Sequence, residues 1–235
     1  MIAMTSHSHA SHTPAQSPRD TIIDALMALA ADMPFEQITL THIAERAHLS
    51  LAELRTHFPS KGAILGGFTR RIDLIILNDT QDDLSQESAK DRLFDVLMRR
   101  LDAMTPYRHA LKNIMQWIKN DPLTAAPLNG QIINSMRFML EAAQLHAEGP
   151  MGPVILQAMS IKWAEVMDIW LHDQDEGLGP TMAALDHMLD DGSQWVERLS
   201  RFEKAASRML NLLWSLPHKN KRADHHDDTR AHDDF

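Results

Sequence analysis

Residues Thr39 to Phe58 read TLTHIAERAHLSLAELRTHF, and the spacing of their apolar positions decides the fold. At 3.6 residues per turn, Leu40, Ile43, Ala44 and Ala47 form one face of a short helix that Thr39 can cap. Leu54 and Phe58, four apart, form the inner face of a second helix. Ser50 precedes that second helix and Glu53 follows three residues later, the S-x-x-E pattern of a capping box. With 100° per residue, its outward face centres on Ala52 and Thr56, flanked by Glu53 and Arg55. Two short helices joined by a few residues make a helix-turn-helix, whose second helix can enter a DNA major groove.

On the N-terminal side, Ser17, Pro18 and Asp20 open a helix whose buried stripe is Ile22, Ile23, Leu26, Leu29 and Ala30. It ends at Met33, because the residue before Pro34 is pushed out of the helical region. On the C-terminal side, Ser60 caps a longer helix from Lys61 to about Leu77, with Ile64, Leu65, Phe68, Ile72 and Ile75 on one side. The polar run DTQDDLSQES (79–88) is a natural boundary. Beyond it, helical spacing predicts segments from Ser88 to about Met104, Pro106 to about Lys119, Leu128 to Leu145, Met151 to His172, Pro180 to Gly192 and Ser193 to Leu216. No alternating strand pattern occurs, so the fold class is all-α. The chain divides into a polar arm expected to be disordered (1–16), a helix-turn-helix DNA-binding domain (17–78) and a helical ligand-binding and dimerisation domain (86–190). A C-terminal amphipathic helix (193–216) and an acidic His/Asp tail expected to be disordered (217–235) follow.

The run from Pro18 to about Ile75 resembles the N-terminal domain of TetR-type transcriptional regulators. The likeness rests on Ile23-Asp24-Ala25, Phe35, Thr39, Ile43-Ala44, Ala47, Leu49-Ser50, Leu54 and, most specifically, His57-Phe58-Pro59-Ser60-Lys61. It implies a helix-turn-helix head on a helical body that binds a small molecule and pairs with a second copy. The sequence departs from that pattern at Leu51, where a lysine is common, at Arg55, where a tyrosine is usual, and at His48 and Pro34, where glycines are usual. Histidine tolerates a left-handed turn, whereas proline is barred from positive φ. Met33-Pro34-Phe35-Glu36 is instead similar to the same junction in the ubiquinone-biosynthesis lipid-binding family, which shares the TetR-like fold and binds lipid rather than DNA. Arg92 through Pro106, Trp163 to Trp170, Asp173 and Thr181 through Leu189 fall in an order similar to that family's body.

Composition narrows the function. The formal charge is −9, and between Pro18 and Asp79 six cations (Arg19, Arg46, Arg55, Lys61, Arg70, Arg71) stand against eight carboxylates. DNA affinity depends on phosphate neutralisation, so a DNA-reading surface here has to be local. Without cysteine there is no disulfide and no thiolate nucleophile. The sequence has no glycine-rich phosphate loop, H-E-x-x-H or G-x-S-x-G, so an enzyme is not expected and no catalytic residue or cofactor is assigned. The N-terminal stretch lacks the charge and apolar run of a signal peptide, and no segment reaches the length of a membrane span, which places the protein in the cytoplasm.

The candidate site residues follow. For double-stranded DNA they are Thr39, Thr41, Ser50 and Lys61 at phosphates, with Ala52, Arg55, Thr56 and His57 nearer the bases. The resemblance supports Ser50, His57 and Lys61. For an apolar or lipid-like effector they are Met104, Tyr107, Trp117, Ile133, Met136, Met139, Leu140, Met159, Trp163 and Met167, adaptable or aromatic side chains on helices that should pack together. As ordinary core, the same residues would look alike. The homodimer is expected to pair through the long helices near 151–190. The helix 193–216 reads as docked on the body or on a second subunit, with a membrane interface as the alternative. His225, His226, Asp227, Asp228 and His232 lack the fixed geometry of a metal site. The leading function is a ligand-responsive transcriptional regulator; the alternative is a non-enzymatic lipid-binding accessory protein related to ubiquinone synthesis.

Overall fold

The computed structural model describes residues 17–79, 87–147, 149 and 151–190; the expected arm, C-terminal helix and tail lie outside them. Helices α1 (Pro18–Asp32), α2 (Leu40–Arg46), α3 (Leu51–His57), α4 (Lys61–Asn78), α5 (Ala89–Met104), α6 (Arg108–Asn120), α7 (Pro122–Ala142) and α8 (Gly152–His172) follow in order, and residues 179–190 are helical. There is no strand among the described residues, and no helix there is long and apolar enough to cross a membrane.

Local chemistry sets most helix starts. The hydroxyls of Ser17, Ser60 and Ser88 accept from the N–H groups of Asp20, Ala63 and Asp91, each an orphan donor of a first turn. Two helices depart from the sequence reading. The Asp121 side chain caps α7, so that helix begins at Pro122, six residues before the expected Leu128. Pro122 sits at a first-turn position that needs no N–H, and Pro127 is accommodated farther along the same helix. In α4 the buried stripe runs Ile64, Phe68, Ile72, Ile76 at intervals of four, and Ile75 is rotated out to 48% exposure.

Helix α1 packs against α2, α3, α4 and α6, while α4 packs against α1, α5 and α7. The contact of α4 with the end of α3 is close because residue 67 is glycine: a Cβ there would come within 2.9 Å of the Phe58 ring. Arg71 of α4 donates to Asp24 of α1 at 2.7 Å and to the Tyr107 hydroxyl at 3.2 Å. From α6, Asn113 donates to the Ala30 carbonyl at 2.8 Å, and Trp117 lies 4.7 Å from the Phe35 ring. Deeper, Asp73 of α4 is buried with Arg100 of α5, which donates to it; Ser135 of α7 adds a bond of 2.7 Å. Burial pushes the Arg100 guanidinium down from its ordinary value, and the Asp73 carboxylate beside it works the other way and holds it charged.

Two further devices order the body. The end of α7 is a Schellman turn, in which Leu145 donates to the Leu140 carbonyl at 2.9 Å and Gln144 holds φ 57°, a place that favours glycine. After α8, Arg108 donates to the carbonyls of Trp170 and Asp173, a cation set at a helix C-terminus. The Asp173 carboxylate accepts from the N–H groups of Thr181 at 3.1 Å and Asp175 at 3.0 Å, and from the Thr181 hydroxyl, capping the helical segment 179–190. These bonds, with the Thr181 hydroxyl foremost, lower its pKa.

Asp73→Ala strands the Arg100 charge inside the protein and is expected to cost about 3–5 kcal/mol, measured by urea denaturation. The apolar double replacement Asp73→Leu with Arg100→Met recovers most of that loss. Gln144→Gly relieves a left-handed residue and is expected to raise stability by up to about 1 kcal/mol without changing the urea slope. The Asp173 contribution is present in full above the ordinary aspartate value of 3.8 and is lost as pH falls through its lower folded value. The stability gap between the native chain and Asp173→Asn should therefore hold steady at neutral pH and close on acidification below about 4.

Candidate functional site

Two features of the structure meet on α4: the helix-turn-helix at its start and an interior cavity along its length. In the helix-turn-helix, the Thr39 hydroxyl accepts from the His42 N–H at 3.1 Å, and His42 Nδ1 accepts in return from Thr39 at 3.4 Å. Histidine thus fills the role that glutamate or glutamine has in the usual capping box, a pairing the sequence reading did not make. Glu53 does act as its spacing predicts, accepting from the Ser50 N–H at 2.8 Å and its hydroxyl at 2.7 Å. Those two bonds, the backbone one first, lower its pKa. Between the helices His48 takes φ 57°, with Leu49 donating to the Ala44 carbonyl at 2.9 Å.

Leu54 and Phe58 are buried, and Leu51, Ala52, Glu53, Arg55 and Thr56 are exposed along α3. Thr39, Thr41 and Ser50 are exposed near the starts of α2 and α3, although the Ser50 hydroxyl is engaged in its cap. The Thr56 hydroxyl donates to the Glu53 carbonyl at 2.7 Å. His57 is half-buried and its carbonyl accepts from Arg19 at 2.9 Å. Lys61 is turned inward: its ammonium donates to the Phe35 carbonyl at 2.9 Å and lies 4.6 Å from the centre of that ring. Burial lowers its pKa, with Glu36 opposing. Arg46 and Arg55, by contrast, are exposed and make no hydrogen bond or ion pair among the described residues. Exposed, unpaired cationic charge on α2 and α3 therefore comes from these two arginines.

The cavity measures about 330 Å³ and lies among α4, α5, α6, α7 and α8. That is near the lower end of the usual range for small-molecule sites. Its walls include Leu65, Phe68 and Ile72 of α4, Leu111, Met115 and Ile118 of α6, and Leu128 and Ile132 of α7. Of the residues expected at an effector site, Met104, Trp163 and Met167 line it. Tyr107 and Trp117 do not: Tyr107, just before α6, lies 5.0 Å edge-on from the Phe68 ring and accepts from Arg71, while Trp117, with Asn113 on the face of α6 turned to α1, lies against Phe35. Leu111, Met115 and Ile118 sit on the other face of the same helix. Met136, Met139 and Leu140 are buried core beside the cavity, and Ile133 and Met159 pack against that core. The sequence reading missed the α4 wall, because Leu65, Phe68 and Ile72 look like head core and nothing local marks them as shared.

Thr69, Arg100, Asn129, Gln131 and Ser160 are the polar residues in the cavity lining, Ser160 with its hydroxyl spent on the Leu156 carbonyl at 2.8 Å. The Gln131 amide lies flat against α4 where residue 66 is glycine, since a Cβ there would come within 2.0 Å of Gln131 Oε1. Its Nε2 donates to the Gly62 carbonyl at 3.4 Å. Gln131 Oε1 and Arg100 Nε are buried and have no hydrogen-bond partner among the described residues. No group of three or more histidine, aspartate or glutamate side chains among the described residues could hold a metal ion.

No family model and no curated protein matches the sequence. Solved structures do match in fold. A TetR transcriptional regulator from Rhodococcus sp. RHA1 is 19% identical at a TM-score of 0.58, over 74% of this chain and 95% of its own. One from Nitrosomonas europaea is 24% identical at 0.57, over 75% of this chain and 98% of its own. Thermus thermophilus FadR, a TetR-family repressor solved with lauroyl-CoA, is 16% identical at 0.51, over 73% and 91%. The all-helical arrangement built on the helix-turn-helix of α2 and α3 is thus the fold of the TetR-type regulators.

Proposed function

We propose that the protein is a transcriptional regulator that binds a double-stranded DNA operator as a homodimer and responds to a mainly apolar small molecule. The observation that carries this reading is the double use of α4. Only Phe58, Pro59 and Ser60 separate it from the recognition helix α3, and Leu65, Phe68 and Ile72 of the same helix form a wall of the cavity. A guest in the cavity presses on the element that aims α3. Switching requires that the guest bind one head arrangement better than the other. Along α8, Val154, Ile161 and Ile169 leave apolar surface exposed, and Met182 does so in the segment 179–190. That surface supports pairing of two copies, which would place two recognition helices on two half-sites. The Thermus thermophilus repressor, with its bound lauroyl-CoA, offers a parallel for an apolar guest in this fold.

A second reading, a lipid-binding accessory protein without DNA affinity, draws on the inward-turned Lys61 and the scarcity of exposed cations near α3. A gel shift with the gene's own upstream region separates the two. The regulator should retain that fragment over a scrambled one, with affinity falling steeply as salt rises. Arg55→Ala should weaken the complex by roughly 1–3 kcal/mol while leaving the melting temperature unchanged. Indifference to every fragment in dilute buffer, together with flotation on liposomes, would turn the assignment to lipid binding.

A further inference from the structure

Little of what α3 shows to solvent is free to hydrogen-bond. Leu51, Ala52, Arg55 and Thr56 are all exposed and fall within an arc of about 140° around the helix. Glu53 lies beyond that arc, and its carboxylate accepts from the Ser50 N–H and hydroxyl. The Ser50 hydroxyl in turn accepts from the Glu53 N–H at 3.2 Å. The Thr56 hydroxyl donates to the Glu53 carbonyl at 2.7 Å, so its one proton is spent and its methyl is what it adds to the face. His57 lies farther round, is half-buried, and has its carbonyl held by Arg19. On this arc only Arg55 keeps unspent donors: it makes no hydrogen bond or ion pair among the described residues.

We infer that this face reads one guanine through Arg55 and the neighbouring thymines through their methyl groups, packed against Leu51, Ala52 and the Thr56 methyl. This assignment rests on the proposed binding of a DNA operator by α3. A guanidinium donates to O6 and N7 of guanine, and the C5 methyl of thymine is the apolar group in the major groove. Adenine and cytosine have no matching reader here. Two-bond reading of adenine needs an asparagine or glutamine, and α3 contains neither. Cytosine is read by a carboxylate, and that of Glu53 is held in its cap. The Thr56 oxygen can only accept, and a single acceptor does not tell adenine from cytosine. From Leu51 to Thr56 the helix rises about 7.5 Å, against about 3.4 Å per base pair, so the face covers about three base pairs. The core of each half-site is then a short block of guanine and thymine.

The test takes the full chain and a pool of random double-stranded DNA, from which bound fragments are recovered and sequenced over successive rounds. The expected half-site holds one guanine beside thymines, and replacing that guanine should weaken binding roughly 5- to 150-fold. Deoxyuridine, which lacks only the methyl, is then placed at each thymine in turn, and the native chain should lose about fourfold per contacted methyl. Leu51→Ala, which trims an exposed side chain, should bind thymine and deoxyuridine equally at one position and still select the guanine. Arg55→Ala should lose the guanine preference and keep the thymine one. A half-site bound equally well with deoxyuridine at every thymine would overturn the methyl readout, and an Arg55→Ala chain that selects the same guanine would overturn the Arg55 assignment. In both cases DNA binding itself stands. A pool from which no sequence is enriched would remove the operator together with this inference. The deoxyuridine comparison on the native chain decides the methyl readout without any variant.

Discussion

Asp73 and Arg100 are charged side chains in the interior, and the placement of α4 over the body follows from their need for one another. Separating two such groups inside a protein leaves each with a desolvation cost of several kcal/mol, so few arrangements of α4 against α5 are tolerated. Ser135 extends the restraint to α7 through a bond to the same carboxylate. The pair is an expensive way to hold helices together, and apolar side chains of equal volume would do as well for stability. Its worth lies in register: it fixes which residues of α4 look down into the body and which look toward α1.

That register gives α4 two neighbourhoods at once. Toward the head it meets Phe58 across Gly67 and ties Asp24 through Arg71. Toward the body it offers Leu65, Phe68 and Ile72 to a cavity of about 330 Å³. The close approach of Gln131 at Gly66 belongs to the same design, because any larger residue would push the amide off the helix. On the proposed reading, a signal from an interior guest to α3 would need no long path, since the same eighteen-residue helix borders both.

Charge on the helix-turn-helix is spent with similar economy. Glu53 is an acid on a face proposed to meet phosphate, yet its carboxylate is occupied by the Ser50 cap. Lys61 keeps its ammonium for Phe35, and Arg19 caps the end of α3 at His57 while lying over the Phe58 ring. The basic character left facing outward is that of Arg46 and Arg55, which locates the electrostatic contribution more narrowly than a count of cations does.

Helix identity and helix ends were legible in the sequence wherever the cause was local. Ser17, Thr39, Ser50, Ser60 and Ser88 are caps because a short side-chain oxygen reaches an N–H two or three residues on, whatever the surroundings. The left-handed His48, the stop before Pro34 and the inward pair Leu54 and Phe58 are of the same kind. What each apolar face meets was not legible. Trp117 and Ile118 are neighbours on α6, and packing alone sends one to the Phe35 ring and the other to the cavity. The start of α7 was missed because Asp121-Pro122 reads as an interruption, although a first-turn position asks nothing of the proline nitrogen. The sequence thus determined a helix-turn-helix followed by amphipathic helices, since hydrogen bonds between near neighbours and a 3.6-residue period suffice for that. Only the tertiary structure decided that α4 forms a wall of the cavity and that Arg100 and Gln131 are fixed against it, because those facts depend on residues 27 to 69 positions apart coming into contact.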